Sequence, residues 1–371
     1  MRMVAGALAG IFCVALAAGQ VTTIIIKAGS PQDLALQQIS GEADAGKRIE
    51  LYKDFVQKFA SDPDATAYGE WQIAQTLAAQ NQSAESLEWG DKALALEPHN
   101  LEIICTQAGN AQQLKQNAKV FEYAMAGGAA YGGIGRDPKP ANVSDLQYEM
   151  ANAEERRVNQ PSNEYLQALA YNVIAAEPDA RKRMSYIQKF NDAFPDSKYQ
   201  DQVSEFAILT LQSLQDTSNA IAYGEAVLYQ NPKNLPTLVL MAHAYAQSGK
   251  AGDWQKGINY AQQALAVAKA DDPAADTSRK LSAGFAYGAM GSALIKQKRE
   301  AAAVPELRHG ISLLKENRAA AAPLQFELGR AYAILRRYEE AKPVLTEAAS
   351  VPGPAQAAAR DLLNKIVEAR H

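Results

Sequence analysis

The stretch LQFELGRAYAILRRYEEAKPVLTEAA, residues 324–349, decides the fold of this chain. Its small and apolar residues recur at helical spacing on both sides of a polar break, at Gly329, Tyr332, Tyr338, Ala341, Leu345 and Ala348. Small residues at such positions let two antiparallel helices approach closely, and the larger apolar residues fill the space between them. The stretch therefore predicts a helical hairpin.

This pattern resembles the tetratricopeptide repeat, a helix-turn-helix unit of about 34 residues. Such a unit cannot bury its own apolar face and must stack on copies of itself. The resemblance, to tetratricopeptide-repeat proteins of an exported bacterial type, implies an all-α fold: an α-solenoid of stacked antiparallel helical hairpins, wound as a superhelix. It also implies a function in holding a protein partner.

An internal repeat supports this expectation. Residues 44–48 are echoed by residues 179–183, and the phenylalanines at 55 and 59 recur 135 positions later at 190 and 194. Residues 89–100 match residues 223–234 at an offset of 134. Each copy predicts three helices, at 44–59, 67–80 and 83–96 and at 179–194, 201–215 and 218–230.

Two details of the repeat predict local structure. Ser83 and Ser218 stand where a helix N-cap is expected. Gly90 and Gly224 recur at equivalent positions inside helices, which favours a close helix crossing rather than a break.

The domain organisation follows from where the helical pattern stops. The segment GGAAYGGIGRDPKPANVS, from residue 127, interrupts every periodicity. We therefore expect an N-terminal block at 37–134, a loop or joint at 135–160, and a C-terminal block at 161–371. The last helix, predicted at 354–370, has apolar residues on one face, which is typical of the helix that caps the open end of a solenoid.

The N-terminus is typical of an export signal. Arg2 is the only charge before Lys27, residues 4–16 are apolar, and residues 15–17 offer a small-residue cleavage site. We predict a signal peptide at 1–19 and a periplasmic or secreted protein. The alternative is an uncleaved membrane anchor extending to residue 26, with the rest of the protein facing the periplasm. Without the leader, Cys105 is the only cysteine, and its apolar helical setting predicts an inert buried thiol.

Composition and motifs favour binding over catalysis. The net charge of -4 and the absence of a basic cluster argue against a nucleic-acid partner. The four histidines are scattered without zinc-ligand spacing, and the glycine-rich segment near residue 133 lacks the Gly-Lys-Ser or Gly-Lys-Thr of a phosphate loop. We expect no catalytic residue, no metal and no cofactor, and predict that the protein is not an enzyme.

The resemblance implies that the first helices of the hairpins line a concave groove that binds a peptide or a helix. The positions that would face this groove are Trp71, Gln75, Gln112, Gln113, His243, Gln247, Lys296, Phe326 and Arg330. Aromatic and arginine side chains are the residue types that anchor peptides. Trp71 and Phe326 could equally pack between neighbouring repeats.

The predicted function is a non-enzymatic scaffold for protein–protein interaction in the bacterial cell envelope. A membrane-anchored envelope assembly factor is the alternative, and a helical-repeat glycan-binding protein or hydrolase is a third hypothesis.

Overall fold

A computed structural model describes residues 24–248 and 250–368. Within these ranges the chain forms seventeen α-helices and no β-strand, so the predicted all-α solenoid of helical hairpins is confirmed. The helices are α1 (Pro31–Ser40), α2 (Ala45–Lys58), α3 (Pro63–Ala79), α4 (Ser83–Leu96), α5 (Leu101–Gln113), α6 (Asn117–Gly133), α7 (Asp145–Ala176), α8 (Ala180–Ala193), α9 (Gln200–Ser213), α10 (Thr217–Gln230), α11 (Leu235–Gln247), α12 (Ala251–Ala268), α13 (Thr277–Lys296), α14 (Glu300–Leu313), α15 (Arg318–Ile334), α16 (Tyr338–Ser350) and α17 (Pro354–Glu368).

The chain divides into two units. The first unit comprises the residues up to 176 together with 188–197, and the second comprises 177–187 together with the residues from 198 onward. In each unit a helix packs on the next helix along the chain, and the first helix of a hairpin also packs on the first helix of the following hairpin, as α3 does on α5 and α13 does on α15. This double set of neighbours is the arrangement of a stacked repeat.

The loop or joint predicted at 135–160 is wrong over most of its length. Only residues 134–144 are non-helical, and α7 then runs for 32 residues with Pro161 inside it. The glycines that suggested a break pack helices together instead: a Cβ at Gly127 would fall 2.2 Å from Leu166 Cδ1, and a Cβ at Gly128 would fall 2.6 Å from the ring of Phe194. Close approach, rather than flexibility, explains these glycines.

Five hairpins share one turn. The turns of α3–α4, α5–α6, α9–α10, α13–α14 and α15–α16 each contain a left-handed residue with φ between 57° and 62°: Asn81, Lys115, Gln215, Lys298 and Arg336. In each turn the next main-chain N–H donates to the carbonyl five residues earlier, as Arg337 N does to Tyr332 O at 2.8 Å. This hydrogen bond satisfies a carbonyl at the helix end. The hairpins are therefore built by one recurring local geometry.

The internal repeat is confirmed at the level of hydrogen bonds. Asp44 Oδ1 accepts from the main-chain N–H of Lys47 at 2.8 Å, and Asp179 Oδ1 accepts from that of Lys182 at 2.7 Å. At the third helix of each copy, however, the predicted N-caps are displaced. Gln82 precedes α4, and Asp216, rather than Ser218, caps α10 by accepting from Asn219 N. Ser83 instead donates to another side chain.

The predicted close crossings are also confirmed. A Cβ at Gly90 would fall 2.3 Å from Gln107 Oε1, and a Cβ at Gly224 would fall 2.2 Å from Met241 Sδ. The glycine and its contact lie seventeen positions apart in both copies. In both copies, a side chain from the first helix of the next hairpin therefore packs directly against the glycine.

The second unit has a continuous apolar core that runs from α10 to α17. The last helix, α17, packs on α15 and α16 and buries Ile366, whereas Val367 is 45% exposed. The first unit holds smaller clusters, one around Phe55 and Ile73 and one around Trp71 and Ile103. Each core is thus assembled from consecutive hairpins.

The predicted leader at 1–19 lies outside the described residues. Residues 24–26, which the alternative assigned to an anchor helix, are non-helical, and Ile24 and Ile26 pack against the clusters of the first unit. Of the helices that the structure describes, none has the length and apolar character needed to cross a bilayer.

Candidate functional site

The strongest candidate site lies on the first helices of the second unit. Helices α11, α13 and α15 pack side by side, and each carries side chains that are half-buried or exposed at the edge of the apolar core. We call this row the first-helix face; its members are His243, Gln247, Phe285, Lys296, Phe326, Glu327 and Arg330. Four of the predicted groove residues, His243, Lys296, Phe326 and Arg330, are half-buried there, and Gln247 is exposed.

His243 links α11 to α13. Its ring lies edge-on to the ring of Phe285, with centroids 6.5 Å apart, and the imidazole hydrogen-bonds to the main chain of Phe285. Burial lowers the pKa of His243, and the hydrogen bond to Phe285 opposes this change only in part. His243 is therefore neutral near pH 7 and offers a hydrogen bond rather than a charge.

A charged cluster joins α13 to α15. Arg330 Nη2 lies 2.5 Å from Glu327 Oε2, and Lys296 interacts with both residues. Burial raises the pKa of Glu327, and the positive charges of Arg330 and Lys296 oppose this rise. Burial also lowers the pKa of Lys296; Arg330 lowers it further, and Glu327 opposes the change. Two cations thus share one carboxylate, so the cluster carries an excess of positive charge.

Part of the polar surface of this cluster has no partner within the described residues. Arg330 Nε, Gln325 Oε1 and Glu327 Oε2 are all buried without a hydrogen bond in that part of the chain, although Glu327 Oε2 is ion-paired with Arg330 Nη2. A buried donor that lacks an acceptor costs free energy, on the order of 1–3 kcal/mol. An acceptor brought by a bound molecule would recover that cost.

Two aromatic rings lie near the charges. Phe326 and Phe285 are both partly buried against the core of the second unit, so each shows only part of its ring. Phe285 and Glu327 were missed by the sequence reasoning. The signal for Phe285 was its spacing: it precedes Lys296 by eleven residues, about three helical turns, and therefore lies on the same face of α13.

In the first unit the structure decides between the two positions that the sequence left open for Trp71. Trp71 is only 4% exposed and packs with Ala74, Ala93 and Ile103, so it is a core residue. Its apolar ring contributes to stability by burial, which explains its position between α3, α4 and α5.

The three predicted groove glutamines of the first unit differ in their hydrogen-bond partners. Gln75 donates to Glu102 Oε1 at 3.1 Å, which ties α3 to α5. Gln113 accepts from Ser83 Oγ at 2.6 Å, so it holds the start of α4. Gln112 is exposed. Gln75 and Gln113 are thus already engaged by other side chains of the first unit.

Elsewhere the described residues show little reactive chemistry. Burial raises the pKa of Cys105 to about 11, so its thiol is protonated at neutral pH, as expected of an inert cysteine. Between residues 24 and 368, Gly249 aside, no three His, Cys, Asp or Glu side chains are grouped so that they could hold a metal ion.

Comparison with known proteins bears on the hairpin of α15 and α16. Residues 322–352 match the family model of the tetratricopeptide repeat. The match covers most of α15 and all of α16, where the sequence showed its strongest pattern. In this segment the chain is similar to tetratricopeptide-repeat proteins, whose repeats generally bind other proteins.

Solved tetratricopeptide structures share low identity with this chain. The tetratricopeptide domain of P58(IPK) is 10% identical, with a TM-score of 0.33, and the match covers 91% of this chain and 98% of that one. A chain of the APC/C hetero-tetramer Cut9–Hcn1 is 15% identical, with a TM-score of 0.45, over 90% of this chain. This chain spans 62% of the length of that second protein. A search of the curated proteins found no match.

Proposed function

We propose that this protein is a non-enzymatic scaffold of the bacterial cell envelope that binds a protein partner on its first-helix face. The partner presents an extended peptide or a helix that carries a carboxylate next to an apolar side chain. The carboxylate pairs with Arg330 and Lys296, and the apolar side chain lies against Phe326.

One observation carries this proposal: the half-buried cluster in which Lys296 and Arg330 share Glu327. An uncompensated, partly desolvated cation attracts an anion more strongly than a fully solvated one, because the local dielectric constant is lower. The unpartnered Nε of Arg330, which has no acceptor in the described part of the chain, adds a directional hydrogen bond. The tetratricopeptide match in the same hairpin supports binding of a protein rather than of a small molecule.

Site-specific photocrosslinking in the native host tests the proposal. A benzophenone side chain at Phe326 is expected to capture a defined partner, and the same group at Tyr338, on the second helix of that hairpin, is not. Arg330→Ala is expected to reduce the crosslink at residue 326 at least tenfold, whereas Arg318→Ala, an exposed arginine that pairs with Glu347, leaves it unchanged. Equal capture from both helices would contradict the proposal.

Export is a separate part of the proposal. It rests on the charge and apolar pattern of residues 1–19. N-terminal sequencing of the mature protein tests it: a start near Ala18 or Gln20 is expected. A mature chain that begins at Met1 would instead support the membrane-anchored assembly factor.

A further inference from the structure

The first unit carries a short segment of chain across its helices. Residues 24–26 precede α1 and are non-helical. Their side chains alternate: Ile24 and Ile26 are half-buried, and Ile25 between them is 44% exposed. This alternation is that of an extended chain with one face against the protein. We call residues 24–26 the strap.

The strap lies on two apolar clusters. Ile24 packs against the cluster that contains Trp71 and Ile103, and Ile26 packs against the cluster that contains Tyr52 and Phe55. Its two inward side chains therefore span the surface from α2 across α3 to α5. This is the surface on which sequence reasoning placed Trp71 as a binding residue.

The contact between strap and helices is incomplete. An open cavity of about 390 Å³ remains beside Ile24 and Ile26, and its wall includes the polar residues Asp33, Gln37 and Ser40 as well as Leu36, Tyr52 and Tyr68. Tyr52 is buried and Tyr68 is half-buried, and burial raises the pKa of both tyrosines. A bulkier apolar side chain at either inward position would bury more of this wall.

The strap is held by side chains alone. Within residues 24–248 and 250–368, its main chain makes no hydrogen bond to the helices beneath it. At its junction with α1, Gly29 has φ +74° and donates its main-chain N–H to Asp33 Oδ2 at 2.8 Å, and Ser30 caps α1. The N-terminus of α1 is therefore capped by Ser30, and its capping hydrogen bond does not involve the strap.

We propose that the strap occupies a docking surface for an extended aliphatic segment of a partner protein. The partner offers two large apolar residues at alternate positions, in the register of Ile24 and Ile26, and displaces the strap when it binds. The strap thus competes with the partner, and it lowers the apparent affinity of any ligand for this surface because the surface is free only when the strap leaves it. This surface belongs to the first unit and is independent of the first-helix face of the second.

Peptide binding in trans tests the proposal on the full chain. The probe is a peptide with the sequence of residues 24–30, Ile-Ile-Ile-Lys-Ala-Gly-Ser, which carries a fluorophore at its C-terminus; the readout is fluorescence anisotropy. Three proteins are compared: the unmodified chain, the double variant Ile24→Ser/Ile26→Ser, and the control Ile25→Ser. A second peptide, with serine at the two inward positions, measures unspecific binding.

The double variant is expected to bind the probe at least tenfold more tightly than the unmodified chain, because an intramolecular competitor acts at high effective concentration. Ile25→Ser is expected to match the unmodified chain. Equal affinity for all three proteins, or equal binding of the serine peptide, would overturn the proposal. Should the double variant lose its helical circular dichroism, Ile24→Ala/Ile26→Ala replaces it with the same two outcomes.

Light scattering separates a partner protein from a second copy of this chain, which would supply the same segment. A monomer is expected for the unmodified chain. A dimer that disappears in Ile24→Ser/Ile26→Ser would assign the surface to strap exchange between copies and would overturn the proposal of a foreign partner.

Discussion

Gly329 of α15 faces Leu345 of α16 so closely that a Cβ at position 329 would fall 2.5 Å from both Cγ and Cδ2 of the leucine. Gly291 of α13 faces Leu307 of α14 with the same 2.5 Å separation. The two hairpins are offset by 38 residues in sequence. In both, the missing side chain is what allows the helices to interlock.

This interlocking predicts the effect of added methyl groups. Gly329→Ala is expected to destabilise the protein by about 1–3 kcal/mol, because overpacking outweighs the gain in helix propensity. Gly252→Ala in α12 is the control: a Cβ there meets no described atom within 4 Å. It is expected to stabilise by up to about 1 kcal/mol. Urea unfolding followed by circular dichroism measures both, and a stabilising Gly329→Ala would contradict the packing account.

The shared hairpin turn predicts the opposite effect for glycine. Lys298 adopts φ 59°, which costs a residue with a Cβ roughly 1 kcal/mol. Lys298→Gly is therefore expected to raise the melting temperature. Gln297→Gly, one position earlier with φ -76°, is expected to lower it because glycine there only adds freedom to the unfolded chain. Differential scanning calorimetry measures the melting temperatures of the two variants. Equal shifts of the melting temperature in both variants would argue against the left-handed turn.

Glu70 predicts a pH dependence of stability. It is 8% exposed, its Oε2 has no hydrogen-bond partner in the described part of the chain, and burial raises its pKa while Lys92 opposes the change. As pH rises above the ordinary glutamate pKa of about 4.3, the unfolded chain ionises first, so the folded state loses stability until its own raised pKa is passed.

Glu70→Gln removes that loss. The variant is expected to gain stability over the unmodified chain between pH 4 and pH 7, with little difference at pH 4. Urea unfolding at the two pH values measures the gain, and Glu88→Gln, an exposed glutamate of α4, is the control. A gain that shrinks with rising pH would contradict the assigned burial.

Much of the fold could be predicted from sequence because helical hairpins are local structures. The close crossings at Gly90 and Gly224 followed from their recurrence, and the hairpin around Gly329 followed from its spacing. The repeat even extends further than sequence comparison suggested. Gln32 of α1 donates to Asp62 Oδ2 at 2.7 Å, and 135 positions later Gln167 accepts from Ser197 Oγ at 2.7 Å, so α1 corresponds to the second half of α7.

The features of the fold that the sequence did not predict depend on contacts between segments that are distant along the chain. Pro161 lies inside α7 although proline disfavours a helix interior. The sequence predicted a loop at the glycines at 127 and 128 because the side chains that pack against them, Leu166 and Phe194, are remote in sequence. The spacing of Trp71 fits both a groove position and a place between repeats, and its burial in a cluster on which Ile24 packs, from another part of the chain, decides for the core.

Neighbouring hairpins supply one another's core. Leu324 of α15 shows this directly, because it fills the space left by Gly288 and Gly310 of the preceding hairpin. The decisive measurement is the far-ultraviolet circular dichroism of two fragments, residues 318–350 alone and residues 277–368. The isolated hairpin is expected to be largely unfolded and the longer fragment helical with a cooperative melt. A hairpin that is as helical and as cooperative alone as within the longer fragment would contradict the account.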